Sequence, residues 1–222
     1  MIITGRSVTL AAGSVALMYL ARRYFRNWGT TKLECRMRLP GDELIHEPTL
    51  TTTEAVWIDR SAAEVWPWLV QMGQDRGGLY GYQALENSVA LRHRNANRIH
   101  PEWQKLSAGD VVRVAPRGWL GLSDGVALTV VEVVDDESIV LRGAPPNLPW
   151  ETVWSIQLIP HWDDRCRLLI RTHVALRHPG EVLLTEAAGP ITALMTRGML
   201  RGIRRRAEGV PSRIPQRSTP SG

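Results

Sequence analysis

The sequence predicts an α+β domain: a curved antiparallel sheet of six or seven strands around a long C-terminal helix, preceded by a hydrophobic helix at the N-terminus. Three observations carry this reading. Six stretches are β-branched and alternate between apolar and polar positions, at 50–59, 111–116, 125–134, 138–143, 152–160 and 167–176. The last five follow one another closely, with Asp135-Asp136-Glu137 and Asp163-Asp164 between neighbours, as the short polar connections of an antiparallel meander do. The stretch 189–209 then changes to helical spacing.

Residues 7–21 hold no charge and lie between Arg6 and the pair Arg22-Arg23. Fifteen helical residues rise about 22 Å, short of the roughly 30 Å hydrocarbon core, although snorkelling arginines and Ile2 and Ile3 extend the reach. We expect 1–27 to be a membrane-associated segment that spans the bilayer or lies on it. The basic residues that follow place the main domain on the cytoplasmic side of the cell membrane. Residues 28–49 read as a linker, with a turn at Pro40-Gly41.

The first strand, 50–59, puts Val56 and Ile58 on one face, and Ala55 and Trp57 on the other. Ser61 and Glu64 form an S-x-x-E capping box that starts a helix, with Val65, Leu69 and Met72 as its apolar stripe. Pro67 should kink that helix, and Gly73 ends it. "QMGQDRGGLYGY" (71–82) then holds four glycines. A phosphate cradle leaves a strand and enters a helix; this loop leaves a helix and lacks G-K-[ST] and G-x-G-x-x-G, so its glycines read as positive-φ and close-approach positions. A short helix is expected around 82–91 and a polar loop after it. Pro190 marks the start of the last helix, which carries Ile191, Leu194, Met195, Met199 and Ile203 along a stripe opposite the arginines. The 50–209 domain ends there, and 210–222, rich in proline and serine, reads as a disordered tail.

The net charge of +5 comes from the ends: +5 over 1–32, −6 over 33–196 and +6 over 197–222. An acidic body with basic ends does not suit nucleic acid, but the N-terminal segment and the C-terminal arginines suit an anionic membrane surface. Cys35 and Cys166 stand in no metal or redox spacing, and the six histidines form no metal pattern, so neither a metal nor another cofactor is expected.

One helix cannot fill the hollow of a strongly bent sheet, and the space between them tends to become a pocket. The runs "IDRSAAEVWPWLVQMG", "NRIHPEWQKLSAGDVV", "RLLIRTHVAL" and "MLRGIRRRAE" resemble actinobacterial members of the START and birch-pollen-allergen superfamily, SRPBCC, over about residues 28–209. The resemblance implies a helix-grip fold around a hydrophobic cavity. The superfamily includes lipid carriers, plant ligand-binding proteins and polyketide aromatase/cyclases, and shares no catalytic residues that transfer to this chain. Thirty-eight residues, 73–110, separate the first helix from the second strand, and part of them reads as a lid.

The expected function is therefore binding, and transport, of a hydrophobic small molecule such as a lipid or polyketide near the membrane. The alternatives are an aromatase/cyclase-like enzyme using the same cavity and an interaction module using the basic last helix. Nine tryptophans against one phenylalanine suit a large, weakly polar ligand, although core packing accounts for most of them. The ligand-binding candidates are Trp66, Trp68, Leu69, Met72, Leu79, Tyr80, Tyr82, Glu86, Trp103, Trp154, Met195 and Met199. Arg98, His100 and Glu102 alternate along an extended loop and, with Tyr80, are the acid–base candidates; the competing reading is a salt-bridged loop fixed by a buried Trp103. Arg171 and His173 alternate with apolar residues on a strand and should face solvent on the outer side of the sheet.

Overall fold

A computed structural model describes residues 26–82, 95–144, 148, 150–176 and 179–209, without the side chains of 120 and 179–188. Six strands form one antiparallel sheet: β1 (Leu50–Ile58), β2 (Val111–Ala115), β3 (Val126–Val134), β4 (Ser138–Gly143), β5 (Glu151–Pro160) and β6 (Cys166–Ala175). The order is β1-β6-β5-β4-β3-β2, so the meander β2 to β6 closes with β1 against β6. Register shifts between Arg113 and Ala115 and between Val130 and Glu132 interrupt the ladders, and irregularities of this kind bend a sheet. Two helices lie against the concave face, α1 (Ala62–Val70) and α2 (Pro179–Gly209). The arrangement is α+β and agrees with a helix grip.

Local chemistry sets the boundaries. The Ser61 side chain accepts from the Glu64 N–H while the Glu64 carboxylate accepts from the Ser61 N–H, the reciprocal cap that the S-x-x-E spacing predicts. Pro67 lies within α1. The last helix is longer than expected: it begins at Pro179, ten or so residues before Pro190, which sits inside it. Proline suits a first helical turn, and Pro179 takes that role in place of Pro190.

The face that α2 buries also differs from the expected stripe. Ala193, Arg197, Leu200, Ile203 and Ala207 are buried, with Met199 beside them, whereas Ile191 and Leu194 are exposed. The spacing 193, 197, 200, 203, 207 is a regular helical stripe that runs through an arginine. The expectation that the arginines lie opposite the apolar face therefore fails at Arg197, which is only 5% exposed.

Residues 28–49, read as a linker, pack on the sheet. The Ala55 N–H donates to the Trp28 carbonyl, closing part of the free edge of β1, and Gly29 approaches so closely that a Cβ there would stand 2.2 Å from the Ala55 oxygen. Further on, Ile45 joins Val140 and Val153 in a small apolar cluster separate from the main core. The expectation for Arg171 and His173 is corrected by the same segment: both are buried, because residues 34–42 lie over them.

Residues 1–25, with the apolar run 7–21, lie outside the described residues, as do 83–94, which include most of the expected short helix, and the tail from 210. No helix among the described residues is long and apolar enough to cross a membrane.

Candidate functional site

The inner face of the sheet is read from its register. Thr52, Glu54, Val56 and Ile58 of β1 stand opposite Thr172, Ile170, Leu168 and Cys166 of β6, and Trp154, Ile156 and Leu158 of β5 continue the same rows. At one end these rows are sealed. Ile58, Leu158, Leu168 and Cys166 have no exposed surface, and Val65 of α1 with Leu200 and Ile203 of α2 are equally buried in the same cluster. At the other end Thr52, Thr172, Val174 and Trp154 on the sheet, and Met195 on α2, are only half-buried. The concave face is thus filled at one end and accessible at the other.

Glu54 lies where the two halves meet. It is 2% exposed, and its Oε2 has no hydrogen-bond partner among the described residues. Burial pushes its carboxyl up to about 8, and the nearby Arg197 guanidinium pulls it part of the way back. At neutral pH the group is therefore mainly a protonated carboxylic acid. Arg197, from α2, lies over the Trp28 ring at 5.3 Å, and Arg201 lies over the same ring at 4.8 Å. Neither Glu54 nor Arg197 figured among the expected site residues. The signal was present for Glu54, since it shares its strand face with Val56 and Ile58 and so had to point inward.

The expected ligand-binding residues divide into three groups. Trp66, Trp68, Leu69, Met72, Leu79, Tyr80 and Met199 are all buried in the main core. Trp154 and Met195 reach the half-buried end, while Tyr82 and Trp103 lie elsewhere. The Tyr82 hydroxyl accepts from Arg201, and Trp103 is half-buried with its ring stacked on His100 at 4.3 Å, so it is not the buried anchor expected for that loop. Glu86 lies outside the described residues.

The glycine loop is a structural clasp. Gly73 (φ 137°) and Gly78 (φ 77°) bridge to each other, and a Cβ at Gly77 would stand 2.8 Å from the Gln71 carbonyl oxygen. Tyr80, at φ 60°, presses its carbonyl against α2 at Gly202, where a Cβ would stand only 1.8 Å away, and Tyr82 packs in the same way on Gly198. Two glycines four residues apart on α2 thus make the groove in which residues 80–82 sit. Gln71, fully buried, ties this loop to the next: its Nε2 donates to the Tyr80 hydroxyl and the Arg98 carbonyl, and its Oε1 accepts from the His100 N–H.

The acid–base candidates do not converge. Tyr80 is fully buried, with the Arg206 guanidinium 4.8 Å from its ring, and burial pushes its phenol up to about 12. Arg98 is exposed. His100 and Glu102 meet at 3.1 Å with the carboxylate in solvent, and hydrogen bonds from its own backbone and from His100 hold Glu102 below its usual range. That pair is the salt-bridged loop of the competing reading.

Several arginines of α2 are engaged within the fold. Arg204 pairs with Glu208, and Arg206 donates to the Ala96 and Gly202 carbonyls and the Asn97 side chain. Arg197 is buried, whereas Arg201 and Arg205 are exposed, so part of the basic face expected to meet a membrane or an acidic partner is taken up within the fold and part is not. Among the described residues no group of His, Cys, Asp and Glu is placed to hold a metal ion.

No family model matches the chain, and no curated protein matches it. Solved structures do. A protein from Arthrobacter aurescens aligns at 13% identity over 77% of this chain and 92% of its own, with a TM-score of 0.43. A conserved protein from Geobacillus kaustophilus aligns at 13% identity over 72% and 96%, with a TM-score of 0.44. A truncated norcoclaurine synthase from Thalictrum flavum aligns at 14% over 70% and 91%, with a TM-score of 0.42. Likeness this distant carries no reading of activity, which has to come from the chain's own residues.

Proposed function

We propose that this protein binds an apolar small molecule, a lipid, polyketide or similar, against the accessible half of the concave face, and carries it near the membrane. The observation behind this is the gradient of burial along the inner rows. Several apolar residues at the margin of the main core are half-buried, and of these Trp154 and Met195 lie at the open end of the inner rows beside Thr52 and Thr172. A broad indole, a pliable thioether and two hydroxyls are the usual lining of a site for a large, weakly polar ligand. The membrane part of the proposal rests mainly on residues 1–27, because Arg197, Arg204 and Arg206 of α2 are engaged in internal contacts.

One experiment addresses both parts. The full chain and a chain lacking 1–27 are expressed in the native host, fractionated, and examined by native mass spectrometry. The full chain should be found with membranes and carry an apolar molecule; the shortened chain should move to the soluble fraction and still carry it. Repeated recovery of empty protein would remove the binding reading, and unchanged partitioning would remove the anchor.

A second reading, acid catalysis of the cyclase type, draws support from Glu54 rather than from His100 and Glu102. A carboxyl that keeps its proton at neutral pH inside an apolar site is a serviceable proton donor. It remains second because no partner base stands beside it among the described residues.

A further inference from the structure

We propose that Glu54 is the polar anchor of the bound molecule, and that the site selects an apolar ligand whose head group is neutral and hydrogen-bonding, an alcohol or a ketone. The inference rests on the binding reading above and names the residue and head group that the reading leaves open.

The geometry begins with β1. Glu54 and Thr52 share the inner face two residues apart, about 7 Å along the strand, within the swing of a glutamate side chain. Thr52 faces Thr172, and Thr172 faces Trp154, so the accessible end carries two hydroxyls and an indole next to the one buried carboxyl on β1. Buried polar atoms in folded proteins are nearly always paired, and Glu54 Oε2 has no partner among the described residues. A packing role does not require this. β1 places threonine at three positions, and the register would accept an aliphatic residue opposite Ile170.

The surrounding charges decide the kind of head group. A protonated carboxyl offers one donor and one acceptor, and Thr52 and Thr172 add neutral hydroxyls of the same kind. An ammonium head would have to lie near the Arg197 guanidinium, the charged group that α2 turns toward Glu54. A carboxylate head would have to give up its hydration inside an otherwise apolar site, a larger cost than burying a neutral hydroxyl or carbonyl. An alcohol or ketone meets no such penalty and supplies what Oε2 lacks.

The test uses the full chain in detergent-free nanodiscs at pH 6.5, with N-phenyl-1-naphthylamine as a neutral apolar reporter that cannot form the proposed contact strongly, displaced by 1-dodecanol, 2-dodecanone, dodecylamine or dodecanoate. The alcohol and ketone should displace it at the lowest concentrations. Glu54→Leu should weaken binding of the alcohol about tenfold more than it changes binding of the reporter, the size of one well-made hydrogen bond, and Glu54→Gln should restore most of that difference. Equal alcohol affinity in Glu54→Leu, or tighter binding of the amine or the carboxylate, would overturn the anchor while leaving the site itself intact. Failure of the reporter and of all four competitors to bind would overturn the binding reading and this inference together.

Discussion

The two faces of the sheet each bury ionisable side chains, and they treat them in opposite ways. On the outer face Arg171, 3% exposed, donates to Thr53 Oγ1, to the carbonyls of Glu34 and Met37, and to Asp42 Oδ2 at 2.6 Å. His173 lies between Thr51 Oγ1 and Asp42 Oδ1, at 2.9 Å from each. Arg167 reaches Glu34 at 2.7 Å in the same manner. On the inner face Glu54 has a nearby guanidinium but no partner for Oε2. A buried charge whose bonds are complete holds two segments together; one left incomplete is a group held ready for something else. The outer set fastens residues 34–42 to β6. The inner group is the anchor proposed above for the bound molecule.

The largest effect should come from the outer set. Arg171→Met removes the guanidinium that pairs with Asp42 Oδ2 and leaves the carbonyls of Glu34 and Met37 without their donor, so denaturant unfolding should show a loss of about 3 kcal/mol or more. A loss within error would mean that the 34–42 segment is held by its apolar contacts alone, and the contrast between the faces would lose its energetic basis.

A smaller and more selective effect follows from pH. The outer carboxylates Glu34 and Asp42 are lowered by the hydrogen bonds and charges of Arg167, Thr31, His173 and Arg171, which outweigh the burial that opposes them. Their contribution is present above the ordinary carboxylate range and is lost as pH falls through their folded values. Glu54 is raised by burial, so its folded form binds a proton more tightly than the unfolded chain. Stability from that source is full below about pH 4.5 and drains away as pH rises to about 8, at up to roughly 1.4 kcal/mol per unit. Glu54→Gln should therefore flatten the slope between about pH 5 and 8 and leave the acid limb unchanged. An identical slope in the variant would show that the Glu54 carboxyl is already ionised and paired in the folded protein.

The smallest effect should be at the surface. Glu102→Gln alters a contact with His100 in which the carboxylate stands in solvent, and neither unfolding nor ligand binding should change measurably. A clear loss of binding in that variant would return the 98–102 loop to the site.

These differences follow the limits of sequence reasoning. All six strands were legible, because alternation over five to ten residues is imposed by the strand itself and needs no knowledge of its neighbours. The α1 cap was legible for the same reason: Ser61 and Glu64 act within one turn. The start of α2 was misread because two prolines, Pro179 and Pro190, both suit a first helical turn and both fall within it. Trp154, Met195, Trp66, Trp68 and Leu69 were all expected to line the site; the structure leaves the first two half-buried and buries the other three in the main core. An apolar side chain on an inward face carries no mark that separates lining from filling; that depends on how far the opposing helix reaches.

Arg171 and His173 show the boundary most clearly. Their alternation with apolar residues placed them correctly on the outer face, and nothing local revealed that a segment 130 or so positions earlier in the chain would cover it. The inward position of Glu54 was likewise fixed by its two-residue spacing from Val56. Its meaning was not, since whether a carboxyl is paired depends on atoms brought from α2 and from residues near Trp28. Period and caps act over a few residues, and the sequence by itself determined them. Which polar groups are completed, and which are left waiting inside the grip, was decided by contacts between segments far apart in the chain, and only the tertiary structure sets those.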